Sequence, residues 1–413
     1  MLLELTNQRK IFISFFIFGL LNNILYVIIL SAAIDLVGSA TPKASVLLAD
    51  VVPSFGFKLV APFFIHLIPY KARLRILVAL SSGGMLLISL TSKDSIAIKI
   101  IGIMLASLSS GMGEVTFLQL THYFTEDAVG GFSSGTGGAG LFGSFLFLLF
   151  TNIMGIRVWV VLLAFAVAPL GFLATYYFVL PTPSHEYHSV GNEEPMPMSE
   201  PEQEEVFVMS ENQDKYTDLK HHIRTTMEKI KPLLVPFMLP LVTVYIAEYV
   251  INQGISPTLL FPLDELPHWL FASYRDIYVV YNFLYQLGVF ISRTSVTFGI
   301  RIRHLYLLSI LQAINVVITL VQSVYDFPFT KIWLLLALII YEGLLGGAAY
   351  VNTFVSVREQ VPQSQREFCM GSVSISDSLG IVLAGLINWW LEPTLCDWQV
   401  QRGRDWCLKG GSA

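Results

Sequence analysis

The chain has 413 residues, of which 54% are hydrophobic and only 13% are charged. Soluble globular proteins carry about 25% charged residues, so this composition excludes a soluble enzyme. A net charge of -5 gives no basic surface for nucleic acid, and three cysteines supply neither a disulfide scaffold nor a metal cluster. The composition is instead typical of a chain that crosses the lipid bilayer many times.

Eleven apolar stretches follow one another along the chain, each long enough for a membrane helix of about 20 residues. They lie at 11–34, 45–68, 75–92, 96–120, 136–153, 158–180, 233–255, 277–297, 303–325, 331–355 and 371–391. The sequence therefore predicts an all-α polytopic membrane protein with about 11 transmembrane helices.

A long polar segment separates the first six stretches from the last five. It is rich in acidic residues and proline, a composition that cannot bury a core and that predicts a disordered linker. The predicted organisation is a six-helix half at 1–180, the linker at 181–231, a five-helix half at 232–391 and a polar tail at 392–413.

The distribution of Lys and Arg orients the bundle, because cytosolic loops hold an excess of basic residues. Most Lys and Arg of the loops fall on the side of the N-terminus and the linker, so we expect both in the cytosol. An odd number of spans then places the tail on the far side. There Cys396 and Cys407 could form a disulfide in an oxidising compartment, or remain two free thiols.

Polar residues recur at matching places in the two halves, as in the duplicated major-facilitator architecture. Three sets have near-equal offsets, in stretches whose ranks differ by six. They are Glu114 with Glu342, Asp50 with Asp276, and the pair Asn22 and Asn23 with Asn252 and Gln253. Some matches arise by chance, yet together they predict a major-facilitator-like bundle in two pseudo-repeat halves.

Ionisable side chains inside the apolar stretches are the first candidates for function. Each costs at least about 2.5–3.5 kcal/mol at the bilayer centre, so it marks either a water-filled path or a structural ion pair. The set comprises Asp50, Lys58, Glu114, Glu248, Arg293, Glu342 and Asp377.

Glu114 follows a run of small residues that lets a neighbouring helix approach closely. A carboxylate removed from water there could carry a proton or contact a substrate. The alternative is an ion pair with Lys58 that locks the second and fourth stretches together.

Glu248 shares one helical face with Tyr245 and Asn252, at spacings typical of a helix. This face could line a cavity, or it could form an interhelical hydrogen-bond network without a ligand. The first stretch repeats the pattern with Asn22, Asn23 and Tyr26.

Three further ionisable residues allow structural explanations. Glu342 precedes Gly343 and Gly346, a close-packing surface, and Asp377 lies among serines that could solvate it. Arg293 ends its stretch, where it could bind an anionic group or extend to the membrane interface as an anchor.

Seven glycines lie between Gly130 and Gly143, at the predicted start of the fifth helix. A glycine-rich helix start can offer backbone N–H groups to a phosphate or carboxylate. The candidates are Gly135, Gly137, Gly138 and Gly140. Tight helix packing explains the same glycines without a ligand.

Several chemistries lack their motifs. The sequence has no ATP-binding P-loop, no H-E-x-x-H and no Cys/His metal spacing. We therefore predict no enzyme activity, no cofactor and no metal site, and expect a gradient-driven transporter for a small polar solute and protons.

Seven strings of the sequence resemble the battenin family, the lysosomal membrane proteins behind juvenile Batten disease. They are Asn22–Ala33, Glu114–Thr121, Ser133–Gly140, Glu248–Gly254, Tyr285–Arg293, Tyr341–Gly347 and Ser374–Asp377. The tail, with Leu391-Glu392-Pro393 and two cysteines, resembles the fungal vacuolar branch. The N-glycosylation acceptors and prenylation box of vertebrate members are missing.

This resemblance implies a multi-pass transporter of the vacuolar or lysosome-like membrane, involved in vacuolar pH homeostasis and transport of basic amino acids such as arginine. The alternatives are export of glycerophosphodiesters, as the resemblance implies for animal members, or a non-transporting regulator. Such a regulator would bind cytosolic trafficking or proton-pump partners through 181–231.

Overall fold

The chain folds into a bundle of α-helices. The computed structural model describes residues 2–32, 43–92, 95–181, 223–268, 270–271 and 273–409. Eleven long helical segments lie within these residues. They are α1 Leu2–Ser31, α2 Lys43–Phe64, α3 Tyr70–Leu90, α4 Ile96–Leu120, α5 Asp127–Leu148, α6 Val158–Val179, α7 Ile223–Thr258, α8 Tyr274–Ser295, α9 Leu305–Tyr325, α10 Ile332–Gln360 and α11 Gln363–Gln401. The predicted all-α membrane fold is confirmed.

Ten of these helices are long and apolar enough to cross a membrane. The eleventh, α8, has 22 residues but carries Arg275, Asp276, Gln286 and Arg293 among its apolar residues. It packs between α5 and α10, so neighbouring helices cover much of its surface. A helix shielded in this way needs less apolar surface than one that faces lipid.

Two helices depart from regular geometry next to the centre of the bundle. In α7 the turn Val250–Ile255 is a wider π-helical turn. The helix ends just after it with the 3-10 turn Ser256–Thr258, where Pro257 has no N–H group to continue the ladder. In α11 the helix is interrupted at Ser374, between Gln363–Val373 and Ile375–Gln401. Such irregular turns often mark functional sites in helices.

The two halves meet along α2, α4 and α5 on one side and α8, α10 and α11 on the other. Within the first half, α1 packs closely along α5. A Cβ atom at Gly135 would lie 2.9 Å from the backbone nitrogen of Leu20, so only glycine allows this crossing. The glycine-rich stretch therefore serves helix packing.

The four glycines predicted as an anion site lie inside α5, which begins at Asp127 and not near residue 136. Their backbone N–H groups belong to the helical ladder, and their Cα atoms face neighbouring helices: Gly137 lies against Arg293 and Gly140 against Gln286. The prediction of a helix start at this place was wrong, because glycine is a weak helix former and the apolar pattern starts late.

Both ends of the second half also extend beyond their predicted bounds. The helix α7 begins at Ile223, inside the predicted linker, of which residues 182–222 lie outside the described part of the chain. The helix α11 continues ten residues past 391. Gln399 is buried there and donates hydrogen bonds of 2.8 Å to the carbonyls of Thr258 and Ser323. The predicted tail is therefore largely helical, and Cys396 forms a disulfide with Cys407.

Candidate functional site

A polar cavity of about 110 Å³ lies between the two halves at the centre of the bundle. Seven helices contribute to its wall. The lining residues are Asn23, Tyr26, Asp50, Val51, Ser54, Lys58, Ser110, Glu114, Tyr245, Tyr249, Arg293, Tyr350, Asp377, Ser378 and Ile381. Eight of the predicted site residues meet here, although the chain separates them by up to 354 positions (377 − 23).

Lys58 joins the two halves inside this cavity. Its ammonium group forms an ion pair with Glu114 of α4, and it donates hydrogen bonds of 3.0 and 3.2 Å to the two carboxylate oxygens of Asp377 in α11. It also donates to Ser378 Oγ at 2.8 Å. The predicted ion pair between Lys58 and Glu114 is present, and Asp377 extends it across the interface.

Asp377 reaches Lys58 because α11 is interrupted just before it. The backbone N–H and the hydroxyl of Ser378 both donate to Asp377 Oδ1, at 2.6 and 3.3 Å. These bonds hold the carboxylate at the start of the helix Ile375–Gln401, where the helix dipole favours negative charge. Serine does solvate this acid, as predicted, but Lys58 is its charged partner.

Arg293 is the second cation of the cavity and is 9% exposed. It donates hydrogen bonds to Thr136 Oγ1 at 2.6 Å and to the Tyr245 hydroxyl at 2.9 Å, and its guanidinium carbon lies 4.1 Å from the ring centroid of Tyr350. Its Nε atom is buried and finds no hydrogen-bond partner in the described part of the chain. The alternative of an interfacial anchor is therefore wrong, since the side chain points into the protein.

Tyr350 connects both cations but was absent from the predicted site. Its hydroxyl donates to Glu114 Oε1 at 2.8 Å while its ring lies under Arg293. A signal was available in the sequence: Glu342, Gly346 and Tyr350 are spaced by four residues and share one face of α10. Only the polar hydroxyl of Tyr350 distinguishes it there from a core aromatic residue.

Asp50 lies two turns before Lys58 on α2 and contributes a carboxylate to the cavity. Its Oδ2 atom is buried and has no hydrogen-bond partner among the described residues. The backbone around it is opened by Pro53, and the Ser107 hydroxyl fills this break, accepting from Ser54 N and donating to the Asp50 carbonyl. This arrangement leaves Oδ2 of the carboxylate without a hydrogen-bond partner in the described part of the chain.

On α1, Asn22 holds its neighbour in the wall of the cavity. Its amide donates at 3.1 Å to both Asn23 Oδ1 and the carbonyl of Ser110. Asn23 and Tyr26 line the cavity directly. Of the three residues predicted on one face of α1, two line the cavity and Asn22 supports them.

Besides Asn22, three predicted residues lie outside the lining. Glu248 packs on Gly346 of α10, where a Cβ atom would collide with its carboxylate. Asn252 donates at 3.1 Å to Glu342 Oε1. These contacts between α7 and α10 match the alternative of an interhelical network.

The matched offsets in the sequence do not all correspond to matched environments. Asp50 is 3% exposed and faces the cavity, whereas Asp276 accepts a hydrogen bond of 2.8 Å from Ser273 N and caps the start of α8. Capping satisfies the free N–H groups of a helix start, so Asp276 needs no cavity to explain it.

Helix ends and loops on the face that carries the N-terminus close the bundle on that side. Tyr70 and Tyr123 of the first half both donate to Glu367 of the second half, at 2.6 and 2.7 Å. Arg301 forms ion pairs with Glu126 and Glu359. Lys58 therefore lies between this closed face and the Asp50 end of the cavity, which points to the opposite face.

Sequence relatives of the chain share nearly its whole length. The family model described as CLN3 protein matches residues 13–398. Protein BTN1 of Candida albicans is 65% identical over 99% of both chains, and Protein BTN1 of Debaryomyces hansenii is 63% identical over 100% of both.

Solved structures share the fold at low sequence identity. The human organic anion transporter MFSD10 is 13% identical, covers 98% of this chain and 97% of its own, and has a TM-score of 0.61. The major facilitator superfamily proton:xylose symporter XylE is 11% identical, covers 98% and 92%, and has a TM-score of 0.50. The two-half bundle is therefore a major-facilitator-like fold.

Proposed function

The chain belongs to the CLN3 protein family, the battenin family, and from this premise we propose that it moves a small polar solute by alternating access of its two halves. One observation carries the proposal: the charged cavity lies at the junction of the halves, and its central ion pair, Lys58 with Asp377, crosses that junction. A solute bound there would contact both halves, so its binding can favour one arrangement of them over the other.

The volume of the cavity supports a cycle of opening and closing. Sites that enclose small molecules have roughly 300–1,000 Å³, more than the 110 Å³ between the halves here. The cavity must therefore widen to admit a solute. The closed loops around Glu367 and the position of Asp50 favour entry from the face opposite the N-terminus.

We propose a basic amino acid such as arginine as the solute, carried across a vacuolar or lysosome-like membrane with protons. The free oxygen of Asp50 can accept from a cationic side chain, and Arg293 Nε can donate to a carboxylate. A basic amino acid carries both groups. Proton-linked transport of this kind would contribute to vacuolar pH homeostasis, with the N-terminus in the cytosol.

A phosphodiester is the second candidate solute, because Arg293 offers a buried donor to an anion. Lys58 contributes less to such a site, since two carboxylates already compensate its charge. A role of the linker in binding cytosolic trafficking or proton-pump partners falls on residues outside the described part of the chain.

The test is flux of labelled arginine into vesicles containing the purified protein, under an imposed pH gradient. Asp50→Asn removes the proposed cation-binding charge at an oxygen that has no partner among the described residues, so we expect the variant to fold. A hydrogen bond to a charged group contributes about 1.5–3 kcal/mol, and we expect the KM for arginine to rise by roughly 10- to 100-fold.

Glu228→Gln is the matched control, because this glutamate is exposed and forms an ion pair with Arg224 on the surface of α7. Its flux should equal that of the unchanged protein. Equal flux in Asp50→Asn would remove Asp50 from the site. Competition by a glycerophosphodiester but not by unlabelled arginine would favour the second candidate solute.

A further inference from the structure

Two buried carboxyl groups face each other across the contact between α7 and α10, outside the cavity lining. Glu248 is 2% exposed and Glu342 is 1% exposed. The Oε2 atom of each is buried and has no hydrogen-bond partner among the residues that the structure describes. Among the described residues of the second half, they are the two buried carboxylate oxygens without a hydrogen-bond partner.

The helix geometry fixes how the two acids approach. Asn252 follows Glu248 by one turn on α7, and Gly346 follows Glu342 by one turn on α10. Asn252 donates to Glu342 at 3.1 Å, while the Glu248 carboxyl packs on Gly346. The two carboxyl groups therefore lie diagonally across a single contact, made possible by the absence of a side chain at Gly346.

The surroundings of this pair hold little compensating charge. Besides Glu342, the charged groups that act on Glu248 among the described residues are Arg293 of α8 and Asp377 of α11, while Tyr245 and Tyr249 are neutral neighbours on α7. Both terminal nitrogens of Arg293 are already bonded to Thr136 and Tyr245. Within the described residues, neither acid accepts a hydrogen bond from a cation. Two such carboxylates cannot both remain charged.

A proton fits this site better than a metal ion. Hard cations need six or more oxygen ligands, whereas Asn252 directs an N–H donor into the space between the helices. Among the described residues there is also no cluster of three acidic, His or Cys ligands. A single hydrogen atom on one carboxyl satisfies the pair without further ligands.

We propose that Glu248 and Glu342 form a proton-binding pair, separate from the solute cavity, that carries the proton coupled to transport. The proton comes from water as one carboxylate becomes a carboxylic acid, and it returns to water from the same group. This assignment of the coupled proton depends on the proposed transport function, whereas the shared proton itself does not.

Glu248 and Glu342 lie on the same two helices as the tyrosines that contact Arg293. Tyr245 precedes Glu248 by three residues on α7 and accepts from Arg293, while Tyr350 follows Glu342 by two turns on α10 and underlies the same guanidinium. Loss of the proton leaves two like charges at the α7–α10 contact and forces these helices apart. The π-helical turn Val250–Ile255, next to Glu248, can absorb that movement.

Infrared difference spectroscopy on the purified full chain in lipid discs tests the pair without a solute. The C=O stretch of a protonated carboxylic acid is separate from the carboxylate bands. We expect a band that titrates with pH, shifts in Glu248→Gln and in Glu342→Gln, and is lost in the double variant. Glu228→Gln should keep it unchanged. A double variant with the full band, or loss of the wild-type band on adding Na⁺ at fixed pH, would overturn the proposal.

A transport measurement then tests the coupling. With the membrane potential clamped to zero, one coupled proton supports about tenfold accumulation of labelled arginine per pH unit, because one unit corresponds to about 1.36 kcal/mol. The double variant should lose this accumulation yet exchange labelled for unlabelled arginine within twofold of the wild-type rate. Full accumulation in the double variant contradicts the coupling role. Absence of arginine flux in the wild-type protein would contradict the proposed solute. The infrared band would still show whether Glu248 and Glu342 share a proton.

Discussion

Lys58 is the residue on which the charged cavity depends. It is 1% exposed and shares its single positive charge between two carboxylates from different halves. Burying charges is costly, and mutual attraction compensates for it only where further hydrogen bonds are made, as Ser378 and Tyr350 do here. The cluster therefore fixes how the two halves fit together, and it adds little to the net free energy of folding.

We expect Lys58→Met to destabilise the protein by roughly 3–5 kcal/mol, because Glu114 and Asp377 lose their buried cation. Thermal unfolding of the purified protein in detergent measures this change. Replacing the acids as well, with Glu114→Gln and Asp377→Asn, should restore most of the stability. Arg224→Ala, which breaks an exposed pair, should leave the melting temperature unchanged. A stable Lys58→Met protein would show that the acids need no cation.

At the scale of helices, small residues decide how closely the elements approach. Gly135 lets α5 touch the backbone of α1, and Gly343 and Gly346 bring α10 against α8 and α7. Glycine weakens a helix interior by about 1 kcal/mol relative to alanine, so its use here indicates a packing requirement. This requirement also places the two acids of the α7–α10 contact side by side.

Gly135→Ala should destabilise the bundle by about 1–3 kcal/mol, since its Cβ atom would overlap the backbone of Phe16 and Leu20. Gly56→Ala is the matched control, because a Cβ atom on that exposed face of α2 meets nothing within 4 Å. Its stability should be unchanged or slightly higher. Parallel thermal melts compare the two, and equal effects would contradict a packing role specific to Gly135.

For the whole molecule, the contacts at the face of the N-terminus determine which side of the cavity is closed. Arg301 bridges Glu126 of the first half and Glu359 of the second. Its hydrogen bond to Glu126 raises the pKa of the Arg301 guanidinium above its ordinary value. A raised pKa keeps this cation charged at neutral pH, and its contribution is lost only as the pH rises far into the alkaline range.

Arg301→Ala should therefore favour separation of the halves at this face. Exposed ion pairs contribute about 0.2–1 kcal/mol, so we expect the open fraction to rise by roughly 1.4- to 5-fold. Spin labels at Lys71 and His304 would report the distance across the face. Arg303→Ala, on the same loop and exposed, is the control. A distance distribution that Arg301→Ala leaves unaltered would exclude Arg301 from this closure.

The sequence by itself determined the membrane class, the number of long helices, the two halves and all five charged residues of the cavity lining. These follow from local properties: apolar length, and the cost of an acid such as Glu114 or Asp377 inside an apolar stretch. The start of α5 was predicted too late in the chain, and the end of α11 too early. Tertiary packing supports helix in both places, although the local composition does not favour it.

Only the tertiary structure decided which residues meet. Lys58 and Asp377 are 319 positions apart, and no local pattern pairs them. Likewise, equal offsets in the sequence could not separate Asp50, which faces the cavity, from Asp276, which caps a helix. Charge and spacing indicate that a polar group must be satisfied inside the membrane, whereas the crossing of distant helices determines the partner that satisfies it.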